Sequence, residues 1–480
     1  MIRRVSPYTL AGGAAALLAL AAATFTRADP DLWGHTKFGL DWLATWTLPS
    51  VDPYSFTQDK PWVNHEWLSE AMMGAAYQVA GASGLALLKG LLLMTGLSVV
   101  WHATRAAELQ IRFIAIAVTA LGISQIATNL RPQLWSFVAV AVLALVLSER
   151  RSRVWLPPLF VLWANSHGAW FVGIIVLGVW AVIRVTRFRD EAMPWLISVA
   201  GCLAATLVTP YGVELWTFLG ETVRASRPAI EEWQPLWVLG PVRWLPWLAV
   251  SAALIWSLFQ RRRVAPEALA ALAVLAVASL QVMRMTPFLA TAAAVLLAPV
   301  LAARWPARAM PTPVASDRGA AVVIAVVLVS VSLFVFSKTL ACIRTDEGHP
   351  QDFAAVTALR TAVPGRVVTH FNYGEYALWH LSPRLRVSMD GRRETVYSDD
   401  RLAEHDAIIA GEPAGLSALA SWRAEYVWLP LASVVTRAWL TAHDYRIDVE
   451  TLQSFVAVRS DLPPLKSDDL RGVGFSCFPN

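Results

Sequence analysis

Charge is scarce in this chain. Lysine, arginine, aspartate and glutamate make up only 16% of the 480 residues against 56% apolar ones, and the mean hydropathy is +0.48. That balance excludes an ordinary soluble enzyme, whose surface carries more charge. Cysteine is sparse as well: Cys202, Cys342 and Cys477 are spaced too widely to read as a metal-ligand cluster. No glycine-rich phosphate loop, HExxH, CxxC or GxSxG occurs, which argues against nucleotide, zinc-protease and serine-hydrolase chemistry. Internal repeats and low-complexity tracts are missing too.

What the chain has instead is a recurrence of apolar runs of about 20 residues, the length that crosses hydrocarbon. The expected fold is therefore mainly α, a polytopic membrane helical bundle of about eleven spans, followed by a small C-terminal soluble α/β domain. The basic start and the apolar stretch Ser6 to Phe25 look like a secretory signal, but ATFTRADP offers no clean small-x-small cleavage site, so an uncleaved anchor is expected. The 23 Trp suit interfacial belts. With the N-terminus inside, Arg105 and Arg112, Arg150, Arg151 and Arg153, Arg184, Arg187 and Arg189, Arg261 to Arg263, and Arg304 and Arg308 all fall on the cytoplasmic side. The net charge of +5 is thereby assigned to topology and anionic lipid rather than to nucleic acid.

From about Thr339 the composition turns to that of soluble protein. GRVVTHF, LRVSMD, AEYVWLP and SFVAVRS read as strands, separated by helical stretches at Gln351 to Ala362 and Leu402 to Ile409, which predicts a largely parallel sheet. The chain thus divides at 338/339. The odd span count puts the tail outside the cytoplasm, where Cys342 and Cys477, which bracket it, would meet an oxidising compartment and form a disulfide. In the chain-entropy model that closure is worth roughly 4–5 kcal/mol. Two unrelated thiols are the alternative, and mid-span Cys202 reads as a buried apolar residue.

The outer loop 27–83 is the richest in chemistry. Asp29-Pro30-Asp31 sets two carboxylates on a stiff turn. A helix N-cap needs one of them; His35 and Lys37 close by make the set richer than capping requires. Trp62-Val63-Asn64-His65-Glu66-Trp67 reads either as an interfacial helix start with Asn64 as cap or as a wall of a site. Arg131, Arg284 and His167 stand at the outer ends of apolar runs, where ionisable groups face a cavity, a partner or the headgroups. In the tail, Phe371 to Tyr376 and Met389 to Glu394 follow predicted strands and are expected on loops, the place for ligand contacts in parallel sheets, although Asp-Gly is also a plain turn signal.

A many-spanning bundle, an inside N-terminus and the acidic pair Asp29 and Asp31 in a long first outer loop with surface helices resemble the C-type superfamily of integral-membrane glycosyltransferases, which use polyprenyl-phosphate sugars. More narrowly, the stretches DPDLWGHTKFG, VDPYSFT, PWVNHEWLSE, LRPQLWSF, WANSHGAW and TPYG look like a bacterial branch ending in a soluble domain with FNYGEYALW and a DGR turn. The resemblance implies a hexosyl- or pentosyltransferase of the bacterial inner membrane, N-terminus cytoplasmic and tail periplasmic. It would move a sugar, with inversion, from a polyprenyl-phosphate carrier in the bilayer to a glycan, lipid or protein acceptor of the cell envelope. It implies Asp31 or Asp29 as general base, Asp31 being preferred, with His35, Lys37, His65, Glu66, Arg131, His167 and Arg284 contacting the donor phosphate or substrate. No cofactor is required for a phosphate-monoester leaving group; a pyrophosphate donor would favour a divalent metal on Asp29 and Asp31. The rival reading is a non-catalytic lipid or glycan transporter, or an envelope-assembly scaffold, but a transporter should show inverted repeats and broken helices at the midplane.

Overall fold

The computed structural model describes residues 7–149, 153–224, 227, 230–259, 264–307, 315–345, 352–466 and 477–479. Among the described residues up to 339 there are fourteen α-helices: α1 (Pro7–Ala23), α2 (Asp31–Thr45), α3 (Trp67–Ala103), α4 (Leu109–Gly122), α5 (Gln133–Glu149), α6 (Leu156–Ser166), α7 (Trp170–Arg187), α8 (Ala192–Ala205), α9 (Glu214–Arg224), α10 (Leu245–Leu258), α11 (Pro266–Gln281), α12 (Thr286–Leu296), α13 (Ala298–Arg304) and α14 (Ala315–Thr339). Proline in the first turn sets the start of α6, α10, α11, α12 and α13, where its missing N–H costs nothing.

The span count differs from the expected eleven. Among the described residues, three helices are long and apolar enough to cross a bilayer (α3, α7 and the 319–339 part of α14), or four if the bent pair Met283–Leu296 and Ala298–Arg304 is one span. The other apolar helices run 10–17 residues, short of 30 Å at 1.5 Å per residue. The bend of 44° falls within the expected span from Pro287 to Ala303. Pro299 explains it, because its ring nitrogen cannot donate to the carbonyl of Val295. The surface helix expected from His65 to Val79 and the span expected from Leu85 are one run in α3, broken at Ala80 and at Gly81, whose φ of 58° favours glycine. The linker from Trp305 to Asp317 lies mostly outside the described residues, as do the Arg150–Arg151 and Arg261–Arg263 clusters.

After α14 the chain builds a five-stranded sheet from β3 (Gly365–Thr369), β4 (Leu385–Val387), β5 (Tyr426–Pro430), β6 (Tyr445–Glu450) and β7 (Ser454–Arg459), in the order β4-β3-β5-β7-β6. Two strands pair near its entrance, β1 (Arg27–Ala28) and β2 (Arg344–Thr345). Helices α15 (Phe353–Arg360), α16 (Phe371–Leu381), α17 (Asp399–Ala410), α18 (Pro413–Trp422) and α19 (Val434–Ala442) complete the domain. The four expected strands are there, but the sheet is mixed. β4-β3-β5 are parallel, while β7 runs antiparallel to both β5 and β6. β6 was not anticipated, since YRIDVE looks too polar for a core strand; it serves as the outer arm of a hairpin. The segment expected as a loop at Phe371 to Tyr376 instead opens α16, with His370 accepting the Asn372 N–H at its start. The DGR segment is a turn, as expected.

The tail does not float free of the helices. Leu32, Trp33, Phe38, Tyr54 and Trp62 of the first outer loop share one buried apolar cluster with Tyr373, Tyr376, Val387 and Tyr397. The loop also extends the sheet: the Val387 N–H donates to Tyr54 O and the Phe56 N–H donates to Val387 O, each at 3.0 Å. Cys342 and Cys477 form the expected disulfide, and the Trp33 indole N–H donates to Pro479 O at 2.9 Å beside it.

Candidate functional site

Pro30 is the N-cap residue of α2 and no side chain caps the helix, so neither aspartate is spent on capping. Asp29 is 3% exposed; its Oδ2 accepts from Asn129 Nδ2 at 2.8 Å and from Arg131 Nε at 2.5 Å. Asp31 Oδ2 lies 3.0 Å from Arg131 Nη2, and this carboxylate is 28% exposed at its side chain. The third arm of Arg131 reaches Glu232 Oε1 at 3.6 Å, and Arg284 Nη1 reaches the same oxygen at 2.8 Å. Two guanidinium groups thus converge with three carboxylates at the mouth of the bundle. Burial raises the Asp31 pKa above the usual aspartate value; Arg131 works against this, while Asp29 adds to it. Glu232 is held below its usual value by Arg284, against burial, with Arg131 assisting.

A second cluster lies one turn along α2. His35 Nδ1 is 2.9 Å from Glu70 Oε1, and Asn64 Nδ2 donates to Glu70 Oε2 at 2.6 Å. Burial opposes the His35 charge, but the bond to Glu70, with Glu66 and Asp31 nearby, outweighs it and raises the pKa to about 9. Glu66 Oε1 is 3.6 Å from His65 Nε2 and 3.7 Å from His167 Nε2. The Ala169 N–H points at His167 Nδ1 at 3.3 Å, and the Ser136 hydroxyl, which accepts from Trp163 Nε1, lies 2.7 Å from the same nitrogen. Nδ1 is therefore the acceptor, and the proton of the neutral ring sits on Nε2, aimed at Glu66. Burial keeps His167 neutral, its pKa pushed down to about 3.

Asp29 and Asp31, the pair expected to hold a metal with a pyrophosphate donor, are both engaged by Arg131. Among the described residues, the group whose ligand atoms come together is His35, Glu66 and Glu70, all within 4.8 Å of one another. One imidazole and two carboxylates suit a manganese- or zinc-type ion.

Of the residues singled out in the sequence, Asp29, Asp31, Arg131 and Arg284 meet in the first cluster, and His35, His65, Glu66 and His167 in the second. Lys37 joins neither: its Nζ is 2.8 Å from both oxygens of Asp41, which also accepts from the Tyr54 hydroxyl. Asn129, Glu232 and Glu70 went unremarked. Glu70 had a signal, since it stands four residues after Glu66 and so on the same helical face; Glu232 lies in the short turn Glu231–Trp233 with no pattern around it.

The tail supplies a third element. Arg392 lies between Asp52 of the outer loop and Asp390, with Nη2 2.8 Å from Asp52 Oδ2 and 2.7 Å from Asp390 Oδ2. Its guanidinium also stands over the rings of Phe38, Tyr54 and Trp62 at 5.1, 5.3 and 4.6 Å. Glu375 of α16 comes close to Asp31 through the space left by Gly391. A cleft of about 540 Å³, lined by Lys60, Val63, Glu214, Phe218, Thr395 and Asp399 among others, opens beside His65, whose ring packs on Phe218 at 5.0 Å.

No family model and no curated protein matches the sequence. Solved structures do. The archaeal oligosaccharyltransferase AglB from Archaeoglobus fulgidus, in complex with an inhibitory peptide and a dolichol-phosphate, superposes with a TM-score of 0.57 at 11% identity, covering 93% of this chain and 74% of that one. The arabinofuranosyltransferase AftD from Mycobacteria gives 0.51 at 15% identity over 97% of this chain, which spans 40% of that longer protein. At such identities the likeness is one of fold.

Proposed function

We propose that this chain is an integral-membrane glycosyltransferase that moves a sugar from a polyprenyl-phosphate carrier to a cell-envelope acceptor at the outer face of the bacterial inner membrane. The observation that carries the reading is the convergence of Arg131 and Arg284 on one carboxylate oxygen beside a partly exposed Asp31. Paired guanidinium groups in a low-dielectric setting suit a lipid phosphate, and a carboxylate whose pKa burial has raised suits a general base. The fold shared with AglB and AftD adds to this.

In this reaction Asp31 takes the proton of the acceptor hydroxyl as the hydroxyl oxygen bonds to the anomeric carbon. The bond from that carbon to the phosphate oxygen breaks on the opposite face, which inverts the centre. The departing phosphate gains negative charge, which Arg131 and Arg284 offset, its oxygens taking the place that Glu232 holds between them. The Nε2–H of neutral His167 serves as a further donor, and His65 lines the route from the cleft, whose carboxylates and threonines suit a hydroxyl-rich acceptor. A divalent ion bound by His35, Glu66 and Glu70 would supply additional charge screening for a donor of the pyrophosphate type. Asp29 holds Arg131 in place. The N-terminus is cytoplasmic and the tail periplasmic, in keeping with the arginine clusters and the disulfide.

The test is reconstitution in nanodiscs with a panel of polyprenyl-phosphate-linked hexoses and pentoses, following release of the polyprenyl phosphate. The Asp29→Asn/Asp31→Asn double variant should fold and be inactive; transfer at the wild-type rate would overturn the base assignment. A phosphatase reporter fused after Asn480 should be active, and an inactive, stably expressed fusion would overturn the orientation.

A further inference from the structure

Glu375 belongs to the soluble domain, yet its carboxyl group lies against α2. α16 crosses α2 at Gly34, where a Cβ would collide with the Glu375 carboxyl carbon and oxygens. Gly391 closes the other side. The place a Cβ would take there is 2.7 Å from Glu375 Oε1 and 2.9 Å from Asp31 Oδ1. Two glycines, one from the outer loop and one from the tail, thus leave room for a second carboxyl group beside Asp31.

Among the described residues, no cation pairs with it. Glu375 is 2% exposed and its Oε2 has no hydrogen-bond partner. Arg392 is engaged by Asp52 and Asp390, and Arg131 by Asp29, Asp31 and Glu232. The charged groups facing Glu375 are Asp31 and Asp29 from the outer loop and Asp390 and Arg392 from the turn after β4. Burial, then the charges of Asp31, Asp390 and Asp29, raise its pKa well above the usual glutamate value, and Arg392 does not reverse this. A neutral carboxylic acid has what a carboxylate lacks, an O–H donor. Asp31 spends Oδ2 on Arg131 and presents Oδ1 on the side of Glu375.

We propose that Glu375 is a positioning residue for Asp31: as the protonated acid it donates its hydroxyl to Asp31 Oδ1 and so keeps Asp31 ionised and fixed in orientation. The soluble domain thereby completes the chemical centre of the membrane part. This rests on the reading of Asp31 as the base, but it can be tested without any transfer assay.

The experiment is infrared difference spectroscopy on the full chain in nanodiscs. Wild type minus Glu375→Gln at neutral pH isolates the Glu375 group; a protonated carboxyl band is expected, and a carboxylate band overturns the proposal. Wild type minus Asp31→Asn isolates Asp31 and gives its titration midpoint. In a Glu375→Leu background, which keeps the bulk and removes the donor, that midpoint should rise by about one pH unit or more. In a Glu375→Gln background, whose amide N–H still donates, it should stay near wild type. An unmoved midpoint with Leu, or equal shifts with Leu and Gln, overturns the proposal. The first subtraction decides even where the Leu variant does not fold. If the midpoints behave as expected while Asp31→Asn still transfers sugar, the base assignment falls and the contact between Glu375 and Asp31 stands.

Discussion

Two arginines of this protein do the same thing in opposite settings. Arg392 joins Asp52 to Asp390, and Arg131 joins Asp29 to Asp31. Around Arg392 everything is closed: both aspartate side chains are 0% exposed, three aromatic rings wall it in, and the Tyr397 hydroxyl donates to Asp390 Oδ2 at 3.1 Å. Around Arg131 the account does not close. It serves three carboxylates, leaves Asp29 Oδ1 buried without a partner, and keeps about a quarter of its side chain exposed. A buried ion pair that is fully satisfied holds one arrangement. One that is oversubscribed and half open can exchange a partner, which a binding site for an anion requires. The Arg392 group is a clamp between loop and tail; the Arg131 group has room to exchange a partner.

The strongest way to break the comparison is Asp31→Asn. It should lower transfer by about a hundredfold to ten-thousandfold with little change in melting temperature, read by polyprenyl-phosphate release and by thermal unfolding. Arg392→Leu should do the reverse. Leaving two buried aspartates unpaired costs about 3–5 kcal/mol, seen as a lowered unfolding temperature and protease cleavage of the tail. An Arg392→Leu protein as stable as wild type would remove the distinction between the two sites.

Glu232→Gln sharpens it. Losing the charge that competes for Arg131 and Arg284 should tighten polyprenyl-phosphate binding by about tenfold, measured by native mass spectrometry; unchanged affinity would mean that Glu232 does not occupy the phosphate position. Lys37→Met should do least. Its i,i+4 pair with Asp41 is worth about 0.5 kcal/mol or less, and donor affinity should not move; a loss of affinity would bring Lys37 back into the site.

The contrast also explains what was legible in the sequence. Apolar runs, strand segments and the acid-rich first loop announce themselves locally, and the two tail cysteines needed only a compartment to be paired. Asp29 and Asp31 stood out as an acidic pair richer than capping needs, and Arg131 and Arg284 as costly charges at the outer ends of apolar runs. Their common partner Glu232 did not, because a glutamate in a polar loop is unremarkable until folding brings it to two arginines. The sequence leaves Asp390 and Arg392 open between ligand contact and turn and does not join them to Asp52, since the clamp links positions more than three hundred residues apart. The start of helix α16 reads as a loop in the sequence because FNYGEY, with its glycine, follows a predicted strand. That glycine marks a close approach, with the backbone of Met389 and Asp390 against Gly374, and not a break. α12 and α13 read as one span in the sequence because composition does not register the proline that divides them.

One seam gathers these parts. α1 and α14, the first and last helices before the tail, pack along each other, with the hydroxyls of Thr24 and Thr339 2.6 Å apart. Just beyond, β1 pairs with β2 next to the Cys342–Cys477 bridge. The seam brings together Thr24 and Thr339, 315 positions apart in the chain, so the walls around Asp29 and Asp31 depend on segments from both ends of the fold staying joined. The bridge makes part of that joining covalent, while the paired strands and the two threonines carry it across to the outer loop.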